Sequence, residues 1–488
     1  MKKIISTLLA VVLLGAAAYS MGAWYMGQQI EQSIGNPFRQ FESLPYIKIV
    51  KRDFKRGVFR SEETVTFELF GELTRYAALL QKNAVARPGA AEAVEPVKPL
   101  QFTLVSHIKH GPFQTGNGLA LAVVDSELEI DERLSLALAG TPGGKKLLTA
   151  HTVYSENGTG ESIITSPAFV AASQGGAAGV PVQISSDGMN ATVRFAKDFA
   201  DYSIQGEAPK FEFTARTGVH IELAGLRFAA DGKRIFEDDP LLYAGGHKFA
   251  LAHVSIDGPA LAGKSLTLKQ IVYEGSMPLD GDFLDFAVKI GIQDVLAGDS
   301  NYGPARLDYS AKHLHTRTFA QMYRAILNAY ADPAALSAGA GGEVLNGFML
   351  PAKKLLEYNP QLILERFSFM TAQGEVLVSA QAKVDDVKPE DFDEPSRLLA
   401  KLDANADVLV PEELLKSLIG VPAGAGDNER LQMQKRQDQI DALEEKGYIQ
   451  RDGAMFKCRL EFRNGQLTIN GKPFEFPGGQ AVSPPTRQ

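Results

Sequence analysis

The chain is poor in cysteine: Cys458 is the only one among 488 residues. An intramolecular disulfide is therefore excluded, and the fold must be stabilised by packing alone. A bridge between the Cys458 residues of two chains is the alternative role for this thiol.

Basic residues are also fewer than acidic ones, with 50 lysines and arginines against 58 aspartates and glutamates. The resulting net charge of −8 argues against nucleic-acid binding and against a mainly electrostatic attachment to anionic lipid. With 45% hydrophobic and 22% charged residues, the composition is typical of a globular protein with a large core.

Long apolar runs are absent after the N-terminus, where one run extends from Ile4 to Gly27 behind Lys2 and Lys3. Its length matches the about 20 residues that a membrane-spanning helix needs. The next basic residue is Arg39, so the positive-inside rule predicts a cytoplasmic N-terminus and an exported body. We therefore expect a signal anchor at residues 1–27, with residues 4–27 in the membrane.

A cleaved signal peptide is the alternative interpretation of this segment. The apolar core Leu8–Leu14 and the small residues Ala16–Ala18 fit its pattern. However, apolar character continues past Ala18, and Trp24 and Tyr25 suit the membrane–water interface at the end of a retained helix. The pattern favours retention.

The body, residues 28–475, shows period-two alternation of apolar residues, which is typical of strands with one apolar and one wet face. The clearest sets are Val65, Phe67 and Leu69; Leu119, Leu121 and Val123; Val376, Val378, Ala380, Ala382 and Val384; and Leu402, Ala404, Ala406, Val408 and Val410. We predict a mainly β fold with some α, built on a long curved antiparallel sheet or meander. Residues 476–488 are predicted to be a flexible tail.

Two turns predict hairpins, at Asn464-Gly465 and, more weakly, at Gln373-Gly374. The predicted opposite pairs are Phe462–Leu467 and Leu460–Ile469 at the first turn, and Phe369–Val378 and Phe367–Ala380 at the second. Gly-containing turns between about 150 and 310 predict a meander in that region.

Helices are predicted at Thr318–Tyr330, Pro411–Ile419 and Asn428–Lys446, from their composition and from the Pro and Gly residues at their ends. The third is charged, and we expect it to pack at the surface through Leu431, Ile440 and Leu443; docking of a partner is the alternative. Loops are predicted near 81–98 and 332–345.

Motifs that would indicate catalysis or cofactor binding are weak. Residues 258–265 match a phosphate-binding loop in letters, yet Ser265 leads into an alternating, strand-like segment instead of the required helix. His107 and His110 are three apart in a strand and face opposite sides, whereas His313 and His315 share a face but fall short of a zinc site. We expect no enzyme, no cofactor, no metal and no nucleotide.

The acidic run from Asp385 to Glu394 is predicted to be a solvated loop, with weak calcium binding as the alternative.

Four short motifs, in order, resemble the YdgA-like family of Gram-negative bacteria, a domain of unknown function. The residues that carry this resemblance are Gly22, Trp24, Tyr25, Gly57, Phe59, His110, Gly111, Pro112, Phe113, Asn464, Gly465, Asn470 and Gly471. The resemblance implies a single-pass protein of the inner membrane that faces the periplasm, associates with itself and has no established enzymatic activity. We expect these residues to be structural: Gly57 and Gly111 at strand ends with unusual dihedrals, Pro112 ending strand pairing, and Phe59 and Phe113 buried.

Two functions follow as hypotheses. The first is a non-enzymatic envelope module that binds or handles lipid or lipoprotein on the apolar face of its sheet. The alternative is a self-associating scaffold or assembly factor for other envelope proteins.

Overall fold

A computed structural model describes residues 20–35, 44, 46–77, 99–111, 120–130, 147–173, 181–261, 263–331, 341–419 and 429–474. Residues 4–19 of the predicted span, the predicted loop at 81–98, Pro112, Phe113 and the tail lie outside these residues. The chain divides into two compact units. Unit one is Met1–Phe249, Ile256–Ala260 and Tyr323–Leu345, and unit two is Ala250–Ser255, Leu261–Met322 and Asn346–Gln488.

The prediction of a mainly β protein is confirmed, since each unit is built mainly of antiparallel strands. The strands of unit one are β1 (Ile47–Arg56), β2 (Arg60–Leu69), β3 (Leu100–His110), β4 (Ala122–Ile130), β5 (Leu148–Tyr154), β6 (Gly160–Ser166), β7 (Phe169–Ser173), β8 (Val182–Ser186), β9 (Met189–Phe195), β10 (Asp201–Ala215) and β11 (His220–Arg234). Strand β12 (Tyr243–Asp257) contributes residues to both units.

In unit one, the strands pair in the order β1, β2, β3, β4, β5, β6, β9, β10 and β11, while β8 pairs with the far part of β10 and β7 pairs with β8. Helix α1 (residues 20–35) packs on this sheet through Ile30 and Ile34. These side chains join Ile108, Leu121 and Tyr154 in a closed core, in which each residue is at most 9% exposed.

Unit two contains β13 (Ser265–Met277), β14 (Leu279–Asp280), β15 (Phe283–Ala297), β16 (Ser300–Asn301), β17 (Ala305–His315), β18 (Gln361–Thr371), β19 (Gly374–Val384), β20 (Leu402–Pro411), β21 (Gln450–Asp452), β22 (Met455–Arg463), β23 (Gln466–Ile469) and β24 (Lys472–Pro473). Its main strands pair in the order β13, β15, β17, β18, β19, β20, β22, β23 and β24. Strand β13 begins at Ser265, as the sequence predicts for the segment that follows the phosphate-loop look-alike.

The hairpin at Asn464-Gly465 is confirmed in its register, with Phe462 opposite Leu467 and Leu460 opposite Ile469. Both turn residues have positive φ, 51° and 75°, as a two-residue turn of this kind requires.

The hairpin before Gly374 also forms, but its predicted register is wrong by two positions, since Phe369 lies opposite Val376 and Phe367 opposite Val378. The turn is one step earlier because the Thr371 hydroxyl donates to the Gly374 carbonyl at 2.8 Å and accepts from the Gln373 amide at 3.2 Å.

The helices that follow α1 in the described residues are α2 (residues 71–77), α3 (Thr316–Ala331), α4 (Gly341–Leu356), α5 (Pro395–Ala400), α6 (Glu412–Leu418) and α7 (Glu429–Glu445). Three of them, α3, α6 and α7, confirm the predicted helices, and Ile440 of α7 is buried as expected. The predicted loop near 332–345 is wrong from Gly341 onward, because α4 begins there. This segment has weak intrinsic helix propensity because it contains Gly341, Gly342, Gly347 and Pro351, so its sequence does not predict a helix.

Among the helices of the described residues, none has the length and apolar character needed to cross a membrane.

Candidate functional site

In unit two, one face of strands β18, β19 and β20 carries apolar side chains that stay partly open. Strands β18, β19 and β20 run side by side, and their apolar side chains share a face because of the period-two alternation. Leu362 is 61% exposed and Phe367 is 41% exposed. We call this surface the apolar face. The sequence leaves open whether these strands enclose a core or line a groove, and here they line a groove.

The groove results from the cross-strand register. Two rows of side chains cross the strands β18, β19, β20 and β22 in the order large, small, small, large. The rows are Leu364, Ala380, Ala406 and Leu460, and Leu362, Ala382, Ala404 and Phe462. Four alanines therefore form a shallow floor between leucine and phenylalanine walls. The concavity has a volume of about 670 Å³.

The lining of this groove is apolar. The residues that line it in the described chain include no charged side chain. Ser310, Gln381 and Asn405 also belong to the lining, and the Ser310 hydroxyl is already satisfied because it donates to Glu365 Oε1 at 2.6 Å. The groove therefore suits a ligand that needs no hydrogen bonds.

A second concavity of about 400 Å³ lies on strands β15, β17 and β18, with Ile290, Leu307 and Phe367 among its lining residues. A bulge in β18 between Leu364 and Phe367 keeps both residues on the apolar face, because their partners on β19, Ala380 and Val378, are two positions apart. The two concavities are therefore parts of the same face.

A second feature, in unit one, is the contact between α1 and β3. His110 is 2% exposed. Its Nδ1 lies 2.8 Å from the carbonyl oxygen of Ala23, and its Nε2 lies 3.0 Å from the Ser61 hydroxyl. A carbonyl only accepts, so Nδ1–H donates to Ala23 and the neutral ring accepts from Ser61 through Nε2. Burial lowers the pKa of His110, which keeps the ring neutral.

Gly27 of α1 lies directly against this ring. A Cβ at Gly27 would be 2.6 Å from Cε1 of His110, closer than any normal contact. Because the His110 ring is held by two hydrogen bonds, a side chain at Gly27 would push α1 away from the sheet.

Three of the four resemblance motifs meet at this contact. Arg56 forms an ion pair with Glu31 of α1, and its guanidinium lies 5.9 Å from the centre of the Trp24 ring. The backbone N–H of His110 donates to the carbonyl of Phe59 at 3.1 Å. The motifs at residues 22–27, 56–59 and 110–111 are far apart in the sequence but lie together here. The fourth motif is separate, since Asn464, Gly465, Asn470 and Gly471 are turn residues in unit two.

The expectations for individual motif residues are partly confirmed. Gly111 has a φ of 138°, which only glycine adopts easily. Gly57 is required for another reason, since a Cβ there would be 2.3 Å from the Arg60 carbonyl oxygen. The expected burial of Phe59 is wrong, because this side chain is 44% exposed.

Glu63, which no sequence motif singles out, is a fully buried carboxylate of β2 in unit one. Its Oε1 lies 2.7 Å from the Arg52 guanidinium, and its Oε2 has no hydrogen-bond partner in the described structure. Burial raises the pKa of Glu63, although Arg52 acts in the opposite direction. A signal was present in the sequence, since Glu63 precedes Val65 by two positions and must share its core-facing side.

Other clusters of the described residues have ordinary structural explanations. Glu212, His220 and Glu222 lie close together, but both carboxylates already pair with Lys210, whose Nζ is 3.3 Å from Glu212 and 3.1 Å from Glu222. The expectation of a fully solvated acidic loop is wrong for Asp391, which is buried and lies 2.7 Å from Lys401 Nζ.

The fold is a β-rich antiparallel architecture, not a doubly wound nucleotide-binding one. Unit one carries a packed N-terminal helix, and unit two carries an open apolar groove. The chain belongs to the family described as bacterial protein of unknown function (DUF945), whose family model matches residues 1–477. Comparisons with curated proteins and with solved structures find no match.

Proposed function

We propose that this protein is held at the bacterial inner membrane by its N-terminal segment, faces the periplasm, and binds an acyl chain of a lipid or lipoprotein in the groove of unit two. The observation that carries this proposal is the alanine floor between leucine and phenylalanine walls. Two sequence features support the inner-membrane location: the resemblance of four motifs to YdgA-like proteins, and the apolar run that begins at Ile4.

An acyl chain fits the groove better than a peptide strand does. Strands β18, β19 and β20 are each paired on both sides, so their backbone groups are already satisfied and cannot recruit an additional strand. Any ligand must then be recognised through side chains that offer apolar surface. An alkyl chain meets this condition, because it leaves no polar group unsatisfied when water is excluded.

No catalytic step belongs to this proposal. The buried His110 of unit one contacts structural partners, and we propose that it holds α1 on the sheet. The scaffold alternative is less favoured, since Ile440, on the narrow apolar side of α7, is buried within the chain itself.

The test compares lipid retained by three full-length proteins purified in a mild detergent and analysed by mass spectrometry. Wild type is expected to retain lipid. Ala406→Trp, which fills the groove floor, is expected to lose it, and Lys457→Trp on the exposed opposite side of β22 is expected to retain it. The comparison between the two tryptophan variants removes the contribution of lipid bound around the N-terminal segment.

Photocrosslinking gives an independent measurement. A lipid that carries a photoreactive group on its acyl chain should crosslink to peptides of β18, β20 and β22 in wild type. Equal lipid content in both tryptophan variants, together with crosslinks elsewhere, would contradict the proposal.

A further inference from the structure

Five exposed apolar side chains surround the place where α1 meets the turn between β1 and β2 in unit one. We call them the apolar patch. They are Met21 (66% exposed), Trp24 (48%), Tyr25 (57%), Val58 (47%) and Phe59 (44%). Met21, Trp24 and Tyr25 have the three- and four-residue spacing of one helix side, whereas Ala23 and Ile30 on the other side of α1 are buried.

The two parts of the patch are held in a fixed relation. His110 donates its backbone N–H to the Phe59 carbonyl at 3.1 Å and its ring N–H to the Ala23 carbonyl at 2.8 Å. Arg56, one residue before the turn, is paired with Glu31 and lies over the Trp24 ring. These contacts join the turn to the helix, so the five side chains of the apolar patch have fixed positions relative to one another.

Basic side chains flank the turn. Lys55 and Arg56 precede it, and Arg60 follows it at the start of β2. Lys55 is 69% exposed, and its contact with Glu62 is long at 3.4 Å. Although the whole chain carries a net charge of −8, this locality presents cations next to aromatic and aliphatic side chains.

We propose that the apolar patch inserts into the head-group region of a lipid bilayer that contains anionic lipids. Unit one would then contact the membrane surface through the turn at Gly57–Phe59 as well as through its N-terminal segment. This inference rests on the membrane tether of the proposed function.

A bilayer is the occupant that the observations favour. The apolar run that begins at Ile4 leads in sequence directly into α1, so a membrane that receives this run lies beside Met21 and Trp24. Tryptophan and tyrosine favour the membrane interface, and nearby lysine and arginine complement anionic lipid. Because α1 is fixed to β3, a membrane at the beginning of α1 is also within reach of Val58 and Phe59.

The experiment places a fluorescent NBD label at the part of the patch that is remote from the N-terminal segment. Full-length protein with Cys458→Ala receives Val58→Cys or Phe59→Cys. The matched control is Ile163→Cys, a strand residue of the same unit that is 47% exposed. Each labelled protein is reconstituted into vesicles of phosphatidylethanolamine and phosphatidylglycerol, with and without lipids that carry a nitroxide quencher close to the head group.

Labels at positions 58 and 59 are expected to shift their emission to the blue and to lose intensity with the quencher lipid, while the label at position 163 does neither. Replacing phosphatidylglycerol with phosphatidylcholine is expected to reduce the blue shift. Labels at 58 and 59 that behave like the control would overturn the docking, and a shift that is independent of lipid charge would overturn the assignment to anionic lipid.

The same preparation separates this inference from the proposed function. Retained groove lipid with unprotected labels at 58 and 59 would overturn the docking alone. Protein that does not fractionate with membranes would overturn the tether and the docking together. Protected labels without groove lipid would support the docking and contradict the acyl-chain site.

Discussion

The strands under α1 in unit one and strands β18, β19 and β20 in unit two share an alternating sequence pattern, with opposite results. In unit one, Ile108 is 1% exposed, because Ile30 and Ile34 of α1 pack on its side of the sheet. In unit two, Leu362 and its neighbours remain open, and an alanine floor lies where a core would have large side chains. The comparison shows that an apolar strand face specifies a surface to be covered but does not specify what covers it.

The largest expected effect is in the closed core. Ile30→Ala should lower the free energy of unfolding by about 2–5 kcal/mol, since it removes a fully buried side chain and leaves a cavity between α1 and the sheet. Trp24 is the only tryptophan and lies on α1, so its fluorescence during urea unfolding reports on this unit directly. A cost as small as that of a surface substitution would show that α1 does not close a core.

The next effect concerns the contact of Gly27 with His110. Gly27→Ala should destabilise the wild type by about 1–3 kcal/mol, because the added Cβ overlaps the fixed ring. In a His110→Ala background the same change should be neutral or stabilising, since the ring is gone and alanine favours the helix. A double-mutant cycle measured by Trp24 fluorescence gives the coupling.

The control for this cycle is Gly22→Ala, which meets no atom within 4 Å and should behave alike in both backgrounds. Identical costs for Gly27→Ala with and without the His110 ring would contradict the proposed contact.

A smaller, pH-dependent effect is expected at Glu63. The pKa of Glu63 is raised in the folded protein, so its favourable contribution is fully present below the unfolded pKa, near the ordinary value of 4.5, and is lost as pH rises through the folded pKa. The stability of wild type relative to Glu63→Gln should therefore increase as the pH is lowered through this window. Urea titrations of both proteins at several pH values measure the difference, and a difference that grows toward neutral pH would mean that Arg52 outweighs burial.

The smallest effect on stability is expected on the open face. Leu362→Ala should change the free energy of unfolding by about 0.5 kcal/mol or less, because the side chain is mostly exposed. The same substitution should still reduce the lipid retained by unit two, since Leu362 forms one wall of the groove. Limited proteolysis and lipid analysis of one preparation measure both quantities. A large loss of stability would show that this face is covered like that of unit one.

Much of the local structure could be predicted. The alternation at Val376–Val384 and Leu402–Val410 identifies β19 and β20, and Asn464-Gly465 fixes both the turn and the register of its hairpin. The register at Gly374 could not be obtained in this way, because the hydrogen bonds of Thr371 move the turn. Helix α4 was missed for a similar reason, since its glycines and proline disfavour a helix locally.

The candidate sites were less accessible to sequence reasoning. Ala380 and Ala406 appear in the alternating pattern, but only strand pairing places them side by side between Leu364 and Leu460. Likewise, the motif residues at 22–27, 56–59 and 110–111 are far apart in the chain, and their meeting around His110 depends on long-range packing.

The sequence by itself determined the β-rich class, the one-sided strands, the strongest turn and three helices, because these depend on residues close together in the chain. Tertiary structure alone decided that α1 covers the face around Ile108 and that the apolar face of β18, β19 and β20 stays open. Side-chain alternation repeats every two residues and is the same in both units. Whether a helix packs on that face, and which side chains lie next to one another across the strands, depends on contacts between segments that are distant in sequence.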